Sequence, residues 1–311
     1  MARPFLNPNI PAFNLALSTL LRNPSLLLPS LTIPTLTSLP ITSLPASLLS
    51  HHPPSPSGPH PIPHIRALIL DKDNTFTAPE SLDIPSVYFE VLRNLRTHPS
   101  SPFEMSKNPD GVLIVSNTAG SNPRSEAYEA DARYLENALA ELKIPVFRAG
   151  GGTPPITTSS AEYDSSSSSS SSPSSSTTAT DHAAQQQHTR PFKKPFSYAS
   201  ILTHLRSTSA IRNADEVVVV GDRLGTDVLM AGLMGAWSVW VRDGVTVAST
   251  PASAAGAEAE ASAEAGAGNE GKEGEADYRG ILAKGEVVLE RYLTRRGVKP
   301  ALPKGWEVIN E

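Results

Sequence analysis

The sequence contains no cysteine, which excludes disulfides and thiolate metal sites and argues against a secreted protein. It contains no Asp or Glu before Asp71, although Arg3, Arg22 and Arg66 fall in that stretch. It has no apolar run long enough to cross a bilayer, because prolines interrupt every longer one. It has no basic excess: the net charge is −5, so nothing supports a nucleic-acid partner. No pattern points to a protein partner.

Of the 311 residues, 39% are hydrophobic and 18% charged. Three stretches are compositionally unlike the rest. Residues 1–63 are rich in Pro, Ser and Leu, residues 156–190 centre on an unbroken serine run, and residues 246–276 are mostly Ala, Gly and Glu. Such tracts are poorly suited to a core, because they offer too little apolar surface to offset the entropy of ordering. The expected layout is therefore a leader over 1–63 and a catalytic core over 64–245 that carries a disordered insertion at 156–190. An acidic linker over 246–276 and a C-terminal helix and tail over 277–311 follow. In the leader, "AFNLALSTLLRN" over 12–23 sets Phe13, Ala16, Leu17, Leu20 and Leu21 on one helical face, closed by Pro24. An acid-free, Ser-rich, amphipathic start fits either a targeting or interfacial helix or a leader with no address.

The core alternates strands with helices. Short apolar runs at 66–70, 111–116, 144–149, 216–221 and 236–241 read as strands buried on both faces of a parallel sheet. Segments 123–142, 196–207 and 226–235 read as helices, the first opened by proline and carrying Tyr128, Leu135, Ala138, Leu139 and Leu142 on one stripe. This alternation predicts an α/β protein of three layers, Rossmann-like, with a mostly parallel sheet of about five strands. Ligands of such sheets bind beyond the carboxyl ends of the strands.

The chemistry-bearing residues fall at those ends. "DKDNT" sets Asp71 and Asp73 directly after the first core strand. An EF-hand is excluded, since its sixth position needs glycine and its twelfth an acid, and here these are Phe76 and Leu82. Two acids this close repel unless a cation joins them, and magnesium with a phosphate is such a partner. "VSNTAG" puts Ser116 and Asn117 beyond the second strand, where a hydroxyl and backbone N–H groups can hold phosphate oxygens. "KKP" offers Lys193 and Lys194 as fixed positive charge, and "GDRLGTD" closes the fourth strand with Asp222 and Asp227. Taken singly, each has an ordinary reading as a turn residue, a surface charge or a helix cap. Their recurrence at successive strand ends favours a site.

These four stretches resemble the haloacid dehalogenase-like (HAD) phosphatases. The resemblance implies an aspartyl-phosphate nucleophile at Asp71 and an acid–base at Asp73. It also implies loop support and phosphate binding by Thr75, Ser116 and Asn117, and charge neutralisation by Lys194. Mg²⁺ would be held by Asp71, the backbone carbonyl of Asp73, Asp222 and Asp227. Only about 40 positions separate Asp73 from Ser116, too few for a helical cap domain, so the enzyme is expected to be capless and open to a bulky substrate. The pieces "DKDNT", "SNTAG", "KKP" and "GDRLGTDVLMA" look most like the fungal mitochondrial phosphatidylglycerophosphate phosphatases. That resemblance implies a phospholipid substrate, a place in cardiolipin synthesis, and peripheral association with the matrix side of the inner membrane. Two alternatives stay open: a soluble capless HAD phosphatase acting on a protein or nucleic-acid phosphate, and a membrane-binding protein without catalysis on the same scaffold.

Overall fold

The computed structural model describes residues 9–50, 61–149, 193–208, 210–246 and 281–306. The serine-rich tract at 156–190 and the acidic tract, apart from Thr246, lie outside the described residues.

Five strands form one sheet: β1 (Leu31–Ile33), β2 (Ala67–Leu70), β3 (Val112–Ile114), β4 (Val217–Gly221) and β5 (Trp237–Val241). Their order is β1-β5-β4-β2-β3, and every pairing is parallel. Strands β2, β3, β4 and β5 are buried throughout, as continuous Val/Ile/Leu runs require when helices cover both faces. On one face, Leu68, Leu70, Val112, Ile114, Val218 and Val220 pack against α3 (Ser86–Thr97) and α4 (Glu126–Ala138). On the other, Ala67, Ile69, Leu113, Val217 and Val219 meet α5 (Tyr198–Ser207) and α6 (Leu229–Met234). The expected three-layer α/β architecture is what forms. Helix α4 starts where its local chemistry directs: Ser125 Oγ accepts the Tyr128 N–H, and Glu126 and Glu129 sit at the positive end of the helix.

Two expectations need correction. The fifth strand is not 144–149, where only Val146 forms a single bridge to Ile114. It is β1, inside the supposed leader, pairing with β5 at Leu31–Val239 and Ile33–Val241. More broadly, residues 24–49 belong to the core. Ile33, Leu36, Leu39, Ile41 and Leu44 (in α2, Leu44–Ser47), together with Leu48, join the same cluster as α3 and α4. The prolines cut this segment into pieces too short to show a period, yet each piece delivers one or two aliphatic side chains to the sheet edge. Burying each is worth about 1.5–3 kcal/mol, and proline lowers the entropy the segment loses on ordering. The boundary at 63 therefore does not separate a leader from a core.

Helix α1 (Ile10–Arg22) precedes this segment, and α7 (Ile281–Arg295) follows the acidic tract. They converge on one residue. A Cβ placed on Gly225 would lie 3.5 Å from Glu286 Oε1 of α7 and 3.6 Å from Ala16 Cβ of α1. No helix among the described residues is long and apolar enough to cross a membrane.

Candidate active site

The sheet order places β2 between β3 and β4, so the chain reverses direction across the sheet at the carboxyl ends of β2 and β4, where α/β proteins build their sites. Asp71 leaves β2 there and Asp222 leaves β4 beside it, two adjacent strands in register. Asp227 follows on a π-helical turn, Leu224–Val228, folded back so that its Cγ would lie 2.4 Å from a Cβ on Gly221. Carboxylate oxygens of Asp71, Asp222 and Asp227 all lie within 4.8 Å of one another.

One ammonium bridges two of them. Lys194 Nζ is 2.5 Å from Asp71 Oδ1 and 2.6 Å from Asp227 Oδ1, with the lysine side chain buried. Lys193 is exposed, so of the two lysines the sequence offered, Lys194 is the one that the fold buries against the carboxylates. Its backbone is fixed on both sides: Asn117 Oδ1 accepts its N–H at 2.9 Å, and Asn9 Nδ2 donates to its carbonyl at 3.0 Å.

Three carboxylates around one ammonium leave negative charge in excess. Burial, reinforced by Asp227 and Asp73 and opposed by Lys194, pushes the Asp71 carboxyl up to about 7. Burial, then Asp71 and Asp227, likewise raises Asp222 well above the usual carboxylate range. For Lys194, burial pulls the ammonium down, but Asp227 and Asp71 outweigh it and hold it above the usual lysine range. An all-oxygen set with surplus negative charge is a donor set for a hard divalent cation such as Mg²⁺, and Asp71, Asp222 and Asp227 are the residues that fit it.

The other expected residues divide. Asp73 is not in the acid cluster. Its carboxylate accepts from Lys72 Nζ at 2.6 Å and from the Glu80 N–H at 3.0 Å, at the partly exposed rim of the loop. Ser116 Oγ is buried and lies 2.9 Å from Thr118 Oγ1 while accepting the Thr118 N–H at 3.0 Å. Asn117, expected to offer backbone to phosphate, also positions the lysine through its side-chain oxygen. Thr75 is fully buried, and its Oγ1 has no hydrogen-bond partner.

Besides Asn9, sequence reasoning missed four contributors. Asn74 adopts a left-handed conformation, φ 56°, which lets its Nδ2 donate to Asp222 Oδ2 at 2.9 Å. An Asn in a turn is among the few side chains that tolerate that conformation, so this signal was available. Lys72 is buried and ties Asp73 to the Ser81 carbonyl. Trp240 Nε1 donates to the Asp222 carbonyl at 2.9 Å. Glu286 reaches the loop from the far end of the chain, and no local pattern could have announced it.

A parallel α/β protein with a carboxylate–lysine centre at its topological switch is thus defined by structure alone. The family model described as mitochondrial PGP phosphatase matches residues 10–182 and 165–246. The chain is 34% identical over 196 residues to the mitochondrial phosphatidylglycerophosphatase of Saccharomyces cerevisiae, covering 62% of this chain and 77% of that protein. It is 25% identical over 181 residues to a probable mitochondrial phosphatidylglycerophosphatase of Schizosaccharomyces pombe, covering 58% of this chain and 61% of that protein. No solved structure matches. The chain belongs to the mitochondrial PGP phosphatase family.

Proposed function

We propose that this protein removes the terminal phosphate of phosphatidylglycerophosphate, leaving phosphatidylglycerol and inorganic phosphate, by HAD-type chemistry on Asp71. The observation that carries the reading is the contact of Lys194 with both Asp71 and Asp227 at the end of β2, together with the relatives that bear this activity in their names.

Asp71 attacks phosphorus in line, and the P–O bond to the glycerol oxygen breaks. A carboxylate is a weak nucleophile, so the step depends on placement and on neutralising the charge of the phosphoryl oxygens. The Lys194 ammonium supplies one such charge and remains protonated throughout. Asp73, at the rim, gives its proton to the departing glycerol oxygen. It then takes a proton from water, whose oxygen attacks the phosphorus of the Asp71 acyl phosphate and returns Asp71 as a carboxylate. Ser116, with its hydroxyl held by Thr118, lines the phosphate end. Asp71, Asp222 and Asp227 would hold Mg²⁺, which when bound supplies further neutralisation of phosphate charge.

No cap domain stands over this centre among the described residues, since α3 and α4 both pack onto the sheet. That openness suits a headgroup still anchored in a bilayer. Helix α1 supports peripheral attachment: Ile10, Phe13, Leu17 and Leu21 form an exposed apolar stripe. Leu20, expected on that stripe, is half-buried. Helix α7 exposes Val288 and Tyr292 among exposed Arg291, Arg295 and Arg296, a pattern suited to an anionic surface. The matching family places the chain with mitochondrial proteins, and we assign it to the matrix face of the inner membrane, on the path to cardiolipin. Phosphate release from phosphatidylglycerophosphate micelles, with Mg²⁺ and with chelator, tests the reading. Metal-dependent release is expected, and a preference for water-soluble phosphomonoesters over the lipid would overturn the substrate assignment.

A further inference from the structure

The family match ends at residue 246, yet helix α7, which begins at Ile281, reaches the loop between Asp222 and Asp227. The π-turn Leu224–Val228 has no side-chain cap of its own, although its first N–H groups need acceptors. Glu286 provides one from outside. Its Oε1 accepts the Gly225 N–H at 3.1 Å and its Oε2 pairs with Arg223 Nε at 3.2 Å. The next residue, Val287, packs on Leu224, Val228 and Trp240, and Trp240 in turn donates to the Asp222 carbonyl. The loop between the two acids is thereby gripped from one direction at Asp222 and from another at Gly225.

The winding of that loop decides where Asp227 points. Both the Asp227 and Val228 N–H groups bond to the Arg223 carbonyl, at 3.0 and 3.2 Å, and Asp227 Oδ2 accepts the Arg223 N–H at 3.3 Å. A five-residue π-turn is less favourable than the α-helix that would replace it. Unwinding it would carry Asp227 away from Lys194 and from the other two carboxylates. Glu286 bonds to the wide turn through Arg223 and Gly225, residues at its start.

We propose that Glu286 is a positioning residue for the cation site, and that α7 is through it a working part of that site rather than a tail. The proposal rests on the reading that Asp71, Asp222 and Asp227 bind Mg²⁺. Outer partners that orient metal-binding carboxylates typically change metal affinity 10–100-fold when removed.

The experiment uses the full chain and titrates Mg²⁺ calorimetrically, with a metal-free thermal melt of each variant. Glu286→Ala is expected to weaken Mg²⁺ binding about 10-fold or more. Glu286→Gln, which keeps an acceptor for Gly225 but loses the ionic contact with Arg223, is expected to weaken it by a smaller factor. Leu293→Ala removes a buried side chain of the same helix, seven residues beyond Glu286; it should lower the melting temperature and leave Mg²⁺ affinity unchanged. Wild-type affinity in Glu286→Ala, or equal losses in Glu286→Ala and Leu293→Ala, would overturn the proposal. Should Glu286→Ala melt below the titration temperature, unchanged affinity in Glu286→Gln overturns it instead. If the wild-type chain binds no Mg²⁺, the cation reading of the site falls, and the role of Glu286 falls with it. Wild-type binding with indifferent variants removes the role of Glu286 alone.

Discussion

Gly221 and Asp227 occupy the same space: a Cβ on the glycine would lie 2.4 Å from Cγ and 2.6 Å from Oδ2 of the aspartate. The absent side chain at the end of β4 is therefore what allows the acid of the following turn to fold back onto Lys194. Gly221→Ala should displace Asp227 and with it the ammonium. We expect turnover to fall at least about 100-fold, comparable to losing a transition-state charge contact, with the far-ultraviolet circular dichroism retained. Near-normal turnover in this variant would show that the position of Asp227 is not critical.

Asp71→Asn keeps shape and most hydrogen bonding but removes the attacking charge. Turnover should drop by several orders of magnitude while the protein stays folded. Phosphate analogues that mimic an aspartyl-phosphate should no longer protect the variant against heat. Substantial residual activity would exclude Asp71 as the nucleophile.

The acid cluster also makes stability depend on pH in a definite direction. Asp71 has an ordinary value of 3.8 but is pushed up to about 7 in the fold, so between these values the folded protein holds more protons than the unfolded chain. Stability of the metal-free protein should then fall as pH rises from about 4 to 7 through this group, and Asp222, raised for the same reason, acts in the same sense. Mg²⁺ should raise the melting temperature more at pH 8 than at pH 5, since protons and the cation compete for the same oxygens. A melting curve indifferent to both variables would contradict the electrostatic account of the site.

Leu44 is fully buried in a segment whose composition suggests a leader. Leu44→Ala should cost about 2–5 kcal/mol, as truncations in a packed core do, measured by denaturant unfolding. A loss below about 0.5 kcal/mol, the range of surface substitutions, would return residues 24–49 to leader status.

For the exposed stripe of α1, replacing Phe13, Leu17 and Leu21 together with Asp should release the protein from anionic vesicles. Activity on bilayer substrate should fall far more than activity on a short-chain analogue. These side chains are exposed, so the melting temperature should barely move. Equal loss on both substrates would assign the helix to folding instead of docking.

How much of this was legible in the sequence follows from how local each signal is. The strands β2, β3, β4 and β5 and the acids at their ends announce themselves, because an apolar run followed by a polar residue is a short-range pattern. Lys194 was legible as one of two candidates, and only its burial between Asp71 and Asp227 separates it from Lys193. Strand β1 was not legible. Its three residues lie among prolines, and their partner, β5, is about 200 positions away. Asn9 and Glu286 were illegible for the same reason: each acts on a loop remote in sequence, and neither sits in a motif.

That separation has a consequence for how the molecule is made. Synthesis delivers β1 about 200 positions before β5, so the sheet edge that β1 seals has no partner to receive it until β5 exists. Until then, β1 and the aliphatic side chains behind it remain available to whatever holds nascent chains. Helix α7 arrives later still. The sheet and the Asp222–Asp227 loop are thus closed by segments that precede β2 and follow β5, and a chain released before β5 would present an open sheet edge and an unclasped loop rather than a slower version of the finished protein.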